Sequence, residues 1–396
     1  IASEEGWLKD RLPSWLDFIK FRGSYGITGS DVGKDYEYLS RWGTASVLYS
    51  PLPLFKYNGM DAFHVLRPLA QDFHWESTRK SEISTSLAFF DYLFTLDVST
   101  YRNVSSDQLT EIPTPAYMGF DNTVTNWQAK VANTGTEINL EAKIIQKKDM
   151  SLSMRAGYSR NRNRLLDFPN LEQSQYKSSL KVGYPLNVEY LLKYTGIDPL
   201  TGSYTFEDLN KDGTINSGAG AIPSTYNDDR YIIMSRNRKY DINGGLVFTY
   251  KGLMVTAGFE YVNTLQEDPY LSAVVGGMFN ISLPSEISEK HWKNPGDQAK
   301  YPRYTTTATA INKSPFNKSD GKYVNGSFFR MNSLAISYSL PQNWCKKVGM
   351  NNASFSIQTS NIFYITPYEG LDPEIKSGVY STPIPRTIES SLRFSF

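Results

Sequence analysis

The sequence predicts an all-β protein whose strands form a membrane-spanning antiparallel barrel. Three observations support this: segments of about ten residues alternate apolar and polar side chains, short and long connections alternate along the chain, and no apolar run is long enough for a membrane-spanning helix. Aromatic residues make up 14% of the 396 residues, which suits β structure and the aromatic girdles of such barrels. The net charge of +1 gives no indication of a nucleic-acid partner.

Ten segments show the period-two pattern that is typical of two-faced strands. The pattern is clearest at the end of the chain, where Ile388, Leu392 and Phe394 alternate with Glu389, Ser391 and Arg393. Ten residues at ~3.3 Å each, tilted by ~40°, rise about 25 Å, which matches the apolar band of an outer membrane. In chain order the segments lie within residues 19–27, 81–90, 92–98, 138–144, 151–159, 242–250, 253–261, 334–340, 355–363 and 387–396.

The lengths of the connections favour a barrel over a soluble β-sandwich. Short or medium connections at 90–91, 146–150, 251–252 and 341–352 alternate with long ones at 28–80, 102–135, 161–239, 263–327 and 363–386. Outer-membrane barrels have short periplasmic turns and long extracellular loops, whereas compact soluble domains have few long loops. We therefore expect Phe396 at the periplasmic rim and residues 7–16 in a periplasmic connection. Ten strands could close a small barrel, but loops this long favour part of a larger one.

Several stretches, taken together, resemble the SusC/RagA-type TonB-dependent outer-membrane transporters of the Bacteroidetes. Their order and spacing over nearly the whole chain make the set specific, although each is weak alone. The stretches are LDFIKFRGSYGITGS (16–30), FHWESTRKSEI (73–83), NTGTEINLEAKI (133–144), GIDPLTGSYTFEDLNKDGTIN (196–216), DGKYVNGSFFRMNSLAISYSLP (320–341), SNIFYITPYEGLDPE (360–374) and STPIPRTIESSLRFSF (381–396).

The resemblance implies a 22-stranded barrel around a plug, of which residues 1–396 would supply about the last ten strands. It implies a location in the bacterial outer membrane, contact with its lipids, and uptake of oligosaccharides or peptides. The implied partners are a SusD-like surface lipoprotein over the extracellular face and the TonB complex in the periplasm, and such complexes pair as dimers. The sequence shows no TonB box, plug or earlier strands, so we expect those parts elsewhere.

Aromatic residues in the long loops are the candidate ligand-binding residues, because exposed rings bind apolar sugar faces or partner proteins. The alternative is that these rings pack the loops against one another. The candidates are Trp42, Tyr49, Tyr57, Tyr117, Trp127, Tyr226, Tyr231, Trp292 and Tyr304.

The stretch DLNKDGTIN has oxygen-bearing residues at the spacing of a calcium loop, with Gly213 at its sixth position. The acid expected at the twelfth position is missing, since Ala219 stands there. Two interpretations stay open: a divalent cation that stiffens an extracellular loop, or an Asx-rich turn with glycine at positive φ. The candidate ligands are Asp208, Asn210, Asp212 and Thr214.

No catalytic motif or cofactor fingerprint is present, and we expect a protein that is not an enzyme and requires no cofactor. The loop carboxylates Glu37, Glu111, Glu207 and the pair Asp228 and Asp229 are expected to be solvated charges. Beside them, Arg236 and Arg238 suit lumen charges, lipopolysaccharide contacts or a solvated rim. Two further functional classes remain as alternatives: a non-transporting outer-membrane pore or adhesin, and a secreted β-rich glycan hydrolase.

Overall fold

The structure is a computed structural model that describes residues 1–31, 36, 38–44, 58–60, 63–70, 72–114, 116–118, 122–218, 220–223, 225–270, 276–277, 283–375 and 382–396. The strands are β1 (Leu16–Ser30), β2 (Arg41–Thr44), β3 (Phe63–Arg67), β4 (Glu76–Phe89), β5 (Phe94–Ser106), β6 (Gln108–Pro113), β7 (Asn122–Trp127), β8 (Lys130–Lys147), β9 (Met150–Asp167), β10 (Val188–Leu191), β11 (Tyr194–Ile197), β12 (Tyr204–Phe206), β13 (Ile232–Ser235), β14 (Tyr240–Tyr250), β15 (Leu253–Asn263), β16 (Leu265–Glu267), β17 (Tyr323–Asn325), β18 (Phe328–Ser339), β19 (Asn352–Ile365) and β20 (Thr387–Ser395).

Helices are few and short in the part of the chain that the structure describes. The α-helices are α1 (Ser285–Lys290), α2 (Lys313–Asn317) and α3 (Gln342–Lys347). Single 3-10 turns occupy Ala2–Glu4, Lys9–Arg11, Ala116–Met118, Leu171–Gln173, Gln175–Ser178, Ala308–Ile311 and Asp320–Lys322. None of the described helices is long and apolar enough to cross a membrane.

One antiparallel sheet of ten strands, in the order β1-β4-β5-β8-β9-β14-β15-β18-β19-β20, forms the wall of the molecule. Each of the ten predicted strands is present in it, so the all-β antiparallel prediction is confirmed. The predicted short connections are also present, because β4–β5, β8–β9 and β14–β15 are joined by tight turns. At the last of these, Lys251 and Gly252 both have positive φ, as a two-residue hairpin turn requires. The wall strands are longer than predicted, with β8 and β9 reaching 18 residues each.

Register places the apolar residues of neighbouring strands on one face of the sheet. Leu140 of β8 lies opposite Leu96 of β5 and Ala156 of β9. The next residue on β8, Glu141, faces the other way and lies near Arg155 of β9 at 3.9 Å. The wall therefore has a continuous apolar face, which suits lipid, and a polar face, which suits a lumen.

Aromatic residues form a row on the apolar face near the extracellular end of the wall. Ring centroids of Tyr158 and Tyr240 are 5.7 Å apart, and those of Tyr240 and Tyr261 are 6.0 Å apart. The row continues through Phe329 and Phe363, whose ring centroids are 6.4 Å apart. We call this row the upper girdle; its place matches the aromatic belts of outer-membrane barrels.

The two outer strands of the wall pair on one side only. Within the described residues, β1 pairs with β4 alone and β20 pairs with β19 alone. A spanning strand with an unpaired backbone edge is not stable in lipid, because its N–H and C=O groups lack partners there. The ten strands are thus an open wall rather than a closed small barrel.

Candidate functional site

Two long loops at the extracellular end share one hydrophobic core. We call residues 168–239 the third loop and residues 264–327 the fourth loop. Tyr204 of the third loop stacks on Phe316 of the fourth, with ring centroids 4.1 Å apart. Ile287, Tyr301 and Ile311 of the fourth loop complete this core. The loops therefore form a packed layer on the wall, in agreement with the interpretation that loop aromatics pack on one another.

A buried acid–base pair fixes the path of the third loop. The guanidinium of Arg230 donates to both carboxylate oxygens of Asp228, at 2.9 and 2.6 Å, and to the Gly220 carbonyl oxygen at 2.6 Å. Asp229 is fully buried, and its carboxylate accepts from the backbone N–H groups of Leu209 and Asn216 at 3.1 and 2.7 Å. The expectation that Asp228 and Asp229 are solvated charges was therefore wrong.

A second buried pair joins the last loop, residues 366–386, to the wall. Arg330 of β18 lies on the lumen face and donates to Asp372 at 2.7 Å and to Asn361 at 2.9 Å. Its guanidinium also lies over the rings of Phe328 and Tyr364, at 5.2 and 5.4 Å from their centroids. This arrangement holds the start of the last loop over the lumen side of the wall.

Three of the predicted ligand-binding aromatics are strongly exposed. Trp42 is 62% exposed, Tyr117 85% and Tyr226 96%. Such large exposed rings are unusual on a folded layer unless they meet a ligand or a partner. These three are the strongest candidates for binding among the described residues.

The other described candidates have partners within the loop layer. Trp127 packs edge-on against Phe168, with centroids 4.9 Å apart. The Trp292 indole donates to the Pro199 carbonyl oxygen at 2.9 Å, and its ring lies against Gly202, where an added Cβ would approach it to 2.6 Å. These contacts give Trp127 and Trp292 a packing role and join the fourth loop to the third.

Two tyrosine candidates are held at the surface of the loop layer by neighbouring side chains. Tyr304 stacks on His291 with centroids 3.8 Å apart. The Tyr231 hydroxyl donates to Glu207 at 2.6 Å, and this hydrogen bond raises the pKa of Tyr231. The remaining two candidates, Tyr49 and Tyr57, lie outside the described residues, as does Glu37.

The candidate calcium loop is an Asx-rich turn whose oxygens accept local hydrogen bonds. Asp208 accepts from the backbone N–H groups of Lys211 and Gly213 at 2.7 and 2.8 Å. Asp212 accepts from the hydroxyl and backbone N–H of Thr214 at 2.6 and 2.8 Å and from the side-chain amide of Asn210 at 2.9 Å, and these bonds lower the pKa of Asp212. Within the described part of the chain, no group of three or more His, Cys, Asp or Glu side chains is placed to hold a metal. The calcium site stays a prediction.

Of the residues that organise the site, sequence reasoning missed Arg230 and Arg330 and assigned Asp228 as a solvated charge. An Asp two residues before an Arg is common on protein surfaces, and no periodic pattern distinguishes a buried pair. The sequence analysis did consider Arg236 and Arg238. The structure shows that Arg236 bridges Glu189 and Glu267 of the loop layer at 3.3 and 3.4 Å.

Comparison with known proteins places these features in context. No protein-family model matches the chain. A TonB-dependent receptor of Formosa agariphila is 25% identical over 94% of this chain and 39% of its own length. The TonB-dependent receptor SusC of Bacteroides thetaiotaomicron is 25% identical over 99% of this chain and 38% of its own length. The chain thus spans about two fifths of the length of these relatives.

Solved structures show the same fold. The RagAB peptide importer in its open-open state matches 99% of this chain and 41% of its own, with a TM-score of 0.75 and 20% identity. Its closed-closed state matches 98% of this chain and 42% of its own, with a TM-score of 0.70 and 20% identity. These structures confirm the predicted fold class, and the similarity to TonB-dependent receptors confirms the outer-membrane location.

Proposed function

The chain resembles, over nearly its whole length, the C-terminal barrel portion of SusC/RagA-type TonB-dependent receptors, and we propose that it forms half of the wall of a nutrient importer in the bacterial outer membrane. Its strands enclose one side of the pore, and its loops form part of the extracellular ligand pocket. The proposal rests most on one observation, the open ten-stranded wall with an unpaired edge on each side. That wall needs further strands, and the relatives are more than twice as long.

The remaining barrel strands and the plug are supplied by the rest of the same transporter. TonB acts through that plug-bearing part from the periplasm. Its own contribution is the lumen face of the wall, where polar residues such as Glu141 and Arg155 line the path. Pairing of whole complexes as dimers belongs to the same proposal.

The substrate class is a bulky oligosaccharide or peptide held against exposed loop aromatics, and a SusD-like lipoprotein covers it from outside. Peptide is supported by the structural neighbours, the RagAB peptide transporter and importer. Tyr117 and Tyr226 are the residues we assign to the ligand or the lipoprotein, because their rings are almost fully exposed. Trp42, Tyr49, Tyr57, Tyr231 and Tyr304 complete the aromatic set that we propose for ligand contact. Trp127 and Trp292 support it through their packing contacts.

The relatives are receptors and transporters by name, which supports a protein that is not an enzyme. A non-transporting pore or adhesin remains the second candidate, because the packed loop layer would also suit adhesion. Detection of a plug-bearing part in the complex would favour the importer over the pore or adhesin.

The first experiment is mass spectrometry of the detergent-extracted complex that contains this chain, with each co-purifying polypeptide identified. If the chain belongs to an importer, we expect to find the remaining barrel strands and a plug, on the same or a companion polypeptide, together with a surface lipoprotein. Recovery of this chain alone in a folded state would contradict the importer and favour the pore or adhesin.

A second experiment tests the aromatic candidates in the intact transporter. Tyr226→Ala with Tyr117→Ala is expected to lower uptake of a labelled peptide pool or lipoprotein retention about tenfold, as loss of well-placed aromatic contacts does. Tyr338→Ala, on the lipid face of β18, is the matched control. Unchanged uptake and unchanged lipoprotein retention in the double variant would remove these residues from the pocket and the dock.

A further inference from the structure

The outer surface of the wall has a cluster of basic residues above the upper girdle. Arg102, Arg160, Arg162, Arg164, Arg238 and Lys239 line one hollow of about 950 Å³. All six side chains are exposed, and no acidic side chain is among the described residues that line this hollow. We call these six residues the outer basic cluster.

The alternation of the strands shows that the cluster faces lipid rather than the lumen. On β9, Tyr158 belongs to the upper girdle, and Arg160, Arg162 and Arg164 follow on the same face. Register places Arg102 of β5 in the same row, because Arg102 and Arg162 both lie opposite Thr134 of β8. The cluster is thus a continuation of the lipid-facing surface.

The height of the cluster suits the headgroup zone of the outer leaflet. Arg160 and Arg162 follow Tyr158 by two and four residues, so they stand roughly 5 and 10 Å above the girdle for a strand tilted by ~40°. β8 lies between β5 and β9, so these two strands are roughly 9.6 Å apart, and the long side chains of Arg102 and Arg162 can reach one anion over β8.

Most of this positive charge is not neutralised by the protein. Arg102, Arg160 and Arg162 form no salt bridge or side-chain hydrogen bond with any residue that the structure describes. Arg164 donates to the Gly183 carbonyl oxygen at 2.7 Å, and Arg238 donates to Asp241 at 3.3 Å. Three neighbouring unpaired guanidinium groups repel one another, and a bound anion would offset that repulsion.

A second hollow, of about 690 Å³, adjoins the cluster on the same outer surface and shares Arg102, Arg160 and Arg162 with it. Its lining includes Tyr25 and Ile83, which are 73% and 69% exposed. A ligand that spans both hollows would have an anionic head and an apolar body.

We propose that the outer basic cluster binds the phosphate groups of the phosphorylated glycolipid of the outer leaflet, lipopolysaccharide, and that Tyr25 and Ile83 of the adjoining hollow contact the same lipid. Guanidinium groups bind phosphate in bidentate fashion, and the site is continuous with the lipid-facing surface. This binding is independent of what the importer transports, so it tests a different property from uptake.

The test uses the intact transporter, purified in a nonionic detergent and freed of lipid, with diphosphorylated lipid A as the probe. Binding is measured by native mass spectrometry across a concentration series. The variant Arg102→Gln/Arg160→Gln/Arg162→Gln is expected to weaken binding about tenfold, as loss of several charged hydrogen bonds does. Arg155→Gln is the matched control, because Arg155 lies on the same strand and faces the lumen.

Two further arms identify the ligand chemistry. Dephosphorylated lipid A is expected to bind about tenfold more weakly than the diphosphorylated form, and inorganic phosphate alone is expected to give no detectable occupancy. Should the triple variant fail to assemble, Arg160→Gln alone is expected to weaken binding about threefold, with Arg160→Lys retaining most of it. Equal binding of both lipid forms, equal loss in Arg155→Gln, or wild-type binding by the variants would overturn the proposal.

Discussion

The Arg230 guanidinium is buried away from water. The Asp228 carboxylate balances its charge, and the Gly220 carbonyl oxygen accepts a hydrogen bond from it. The Asp228–Arg230 pair also explains why residue 218 is a glycine. Gly218 has positive φ, and a Cβ at this position would approach the Asp228 carboxylate to 2.2 Å. The path of the third loop therefore depends on two charged residues and the glycine against them.

Removal of one partner from this pair is expected to loosen the third loop. Asp228→Asn leaves a buried guanidinium without its counter-charge, which costs about 3–5 kcal/mol. Hydrogen exchange of residues 208–222 should rise sharply, with the wall strands unchanged. Glu4→Gln, which removes an exposed salt bridge to Lys9, is the control and should change stability by less than about 0.5 kcal/mol. Unchanged protection in Asp228→Asn would show that the loop does not depend on the pair.

Lys313 gives the loop layer a dependence on pH. Burial lowers the pKa of Lys313 from its ordinary value of 10.5 to about 8. Between these pH values the unfolded chain binds the proton more readily than the folded layer does, so stability rises as pH increases from about 8 to 10.5. The rise is on the order of 2–3 kcal/mol.

Lys313→Met is the variant that tests this, since methionine fills similar space without a charge. The melting temperature of the wild-type loop layer should increase across this pH range, and that of Lys313→Met should stay level. Parallel pH curves for the two proteins would assign the dependence to another group.

The calcium prediction also belongs to single residues. The local hydrogen bonds of Asp208 and Asp212 favour a turn that forms without a cation. EDTA and added Ca²⁺ are therefore expected to leave hydrogen exchange of residues 208–216 unchanged, whereas Asp208→Asn should speed it. Stronger protection on addition of Ca²⁺ would instead establish the cation site.

At the scale of the element, sequence predicted the wall strands well and their ends poorly. Alternation identifies the membrane-spanning part, where one face must be apolar. It weakens in Lys130–Thr136 of β8 and Arg160–Asp167 of β9, because Val131 and Leu165 pack there against the third loop while alternate residues of β9 are exposed arginines. Loop strands of three or four residues, such as β12 and β17, are too short to show a period.

The site was predicted less well than the wall for a related reason. Exposed rings such as Tyr226 can be proposed from composition and loop position alone. Whether Trp292 is free or covers Gly202 depends on contacts between loops about 90 residues apart, which no local pattern encodes. The same holds for the burial of Asp229.

The face assignment of β14 predicts opposite effects for two neighbouring residues. Leu246 lies on the lipid face near mid-depth, and Val247 lies on the lumen face beside Ser153 and Thr256. Leu246→Arg is expected to cost about 2–4 kcal/mol, and Val247→Arg much less. The folded fraction in the outer membrane, measured by heat-dependent gel mobility, distinguishes them. A larger loss in Val247→Arg would reverse the assignment of the faces.

For the whole molecule, the unpaired edges of β1 and β20 determine what can fold. We expect the chain produced by itself to lack heat-resistant mobility and to aggregate through those edges. Production together with the remaining strands should restore a heat-resistant band. A heat-resistant band from the chain alone would mean that β1 and β20 pair and that ten strands suffice.

The shared core of the third and fourth loops limits how such a barrel can be redesigned. Tyr204 comes from one loop and Phe316 from the other, although the strands β14 and β15 separate them along the chain. A graft that moves either loop alone to another barrel would leave half a core in water. Exchange of binding specificity between homologous barrels should therefore succeed only when both loops are transplanted as one cassette, with the hairpin between them left in place.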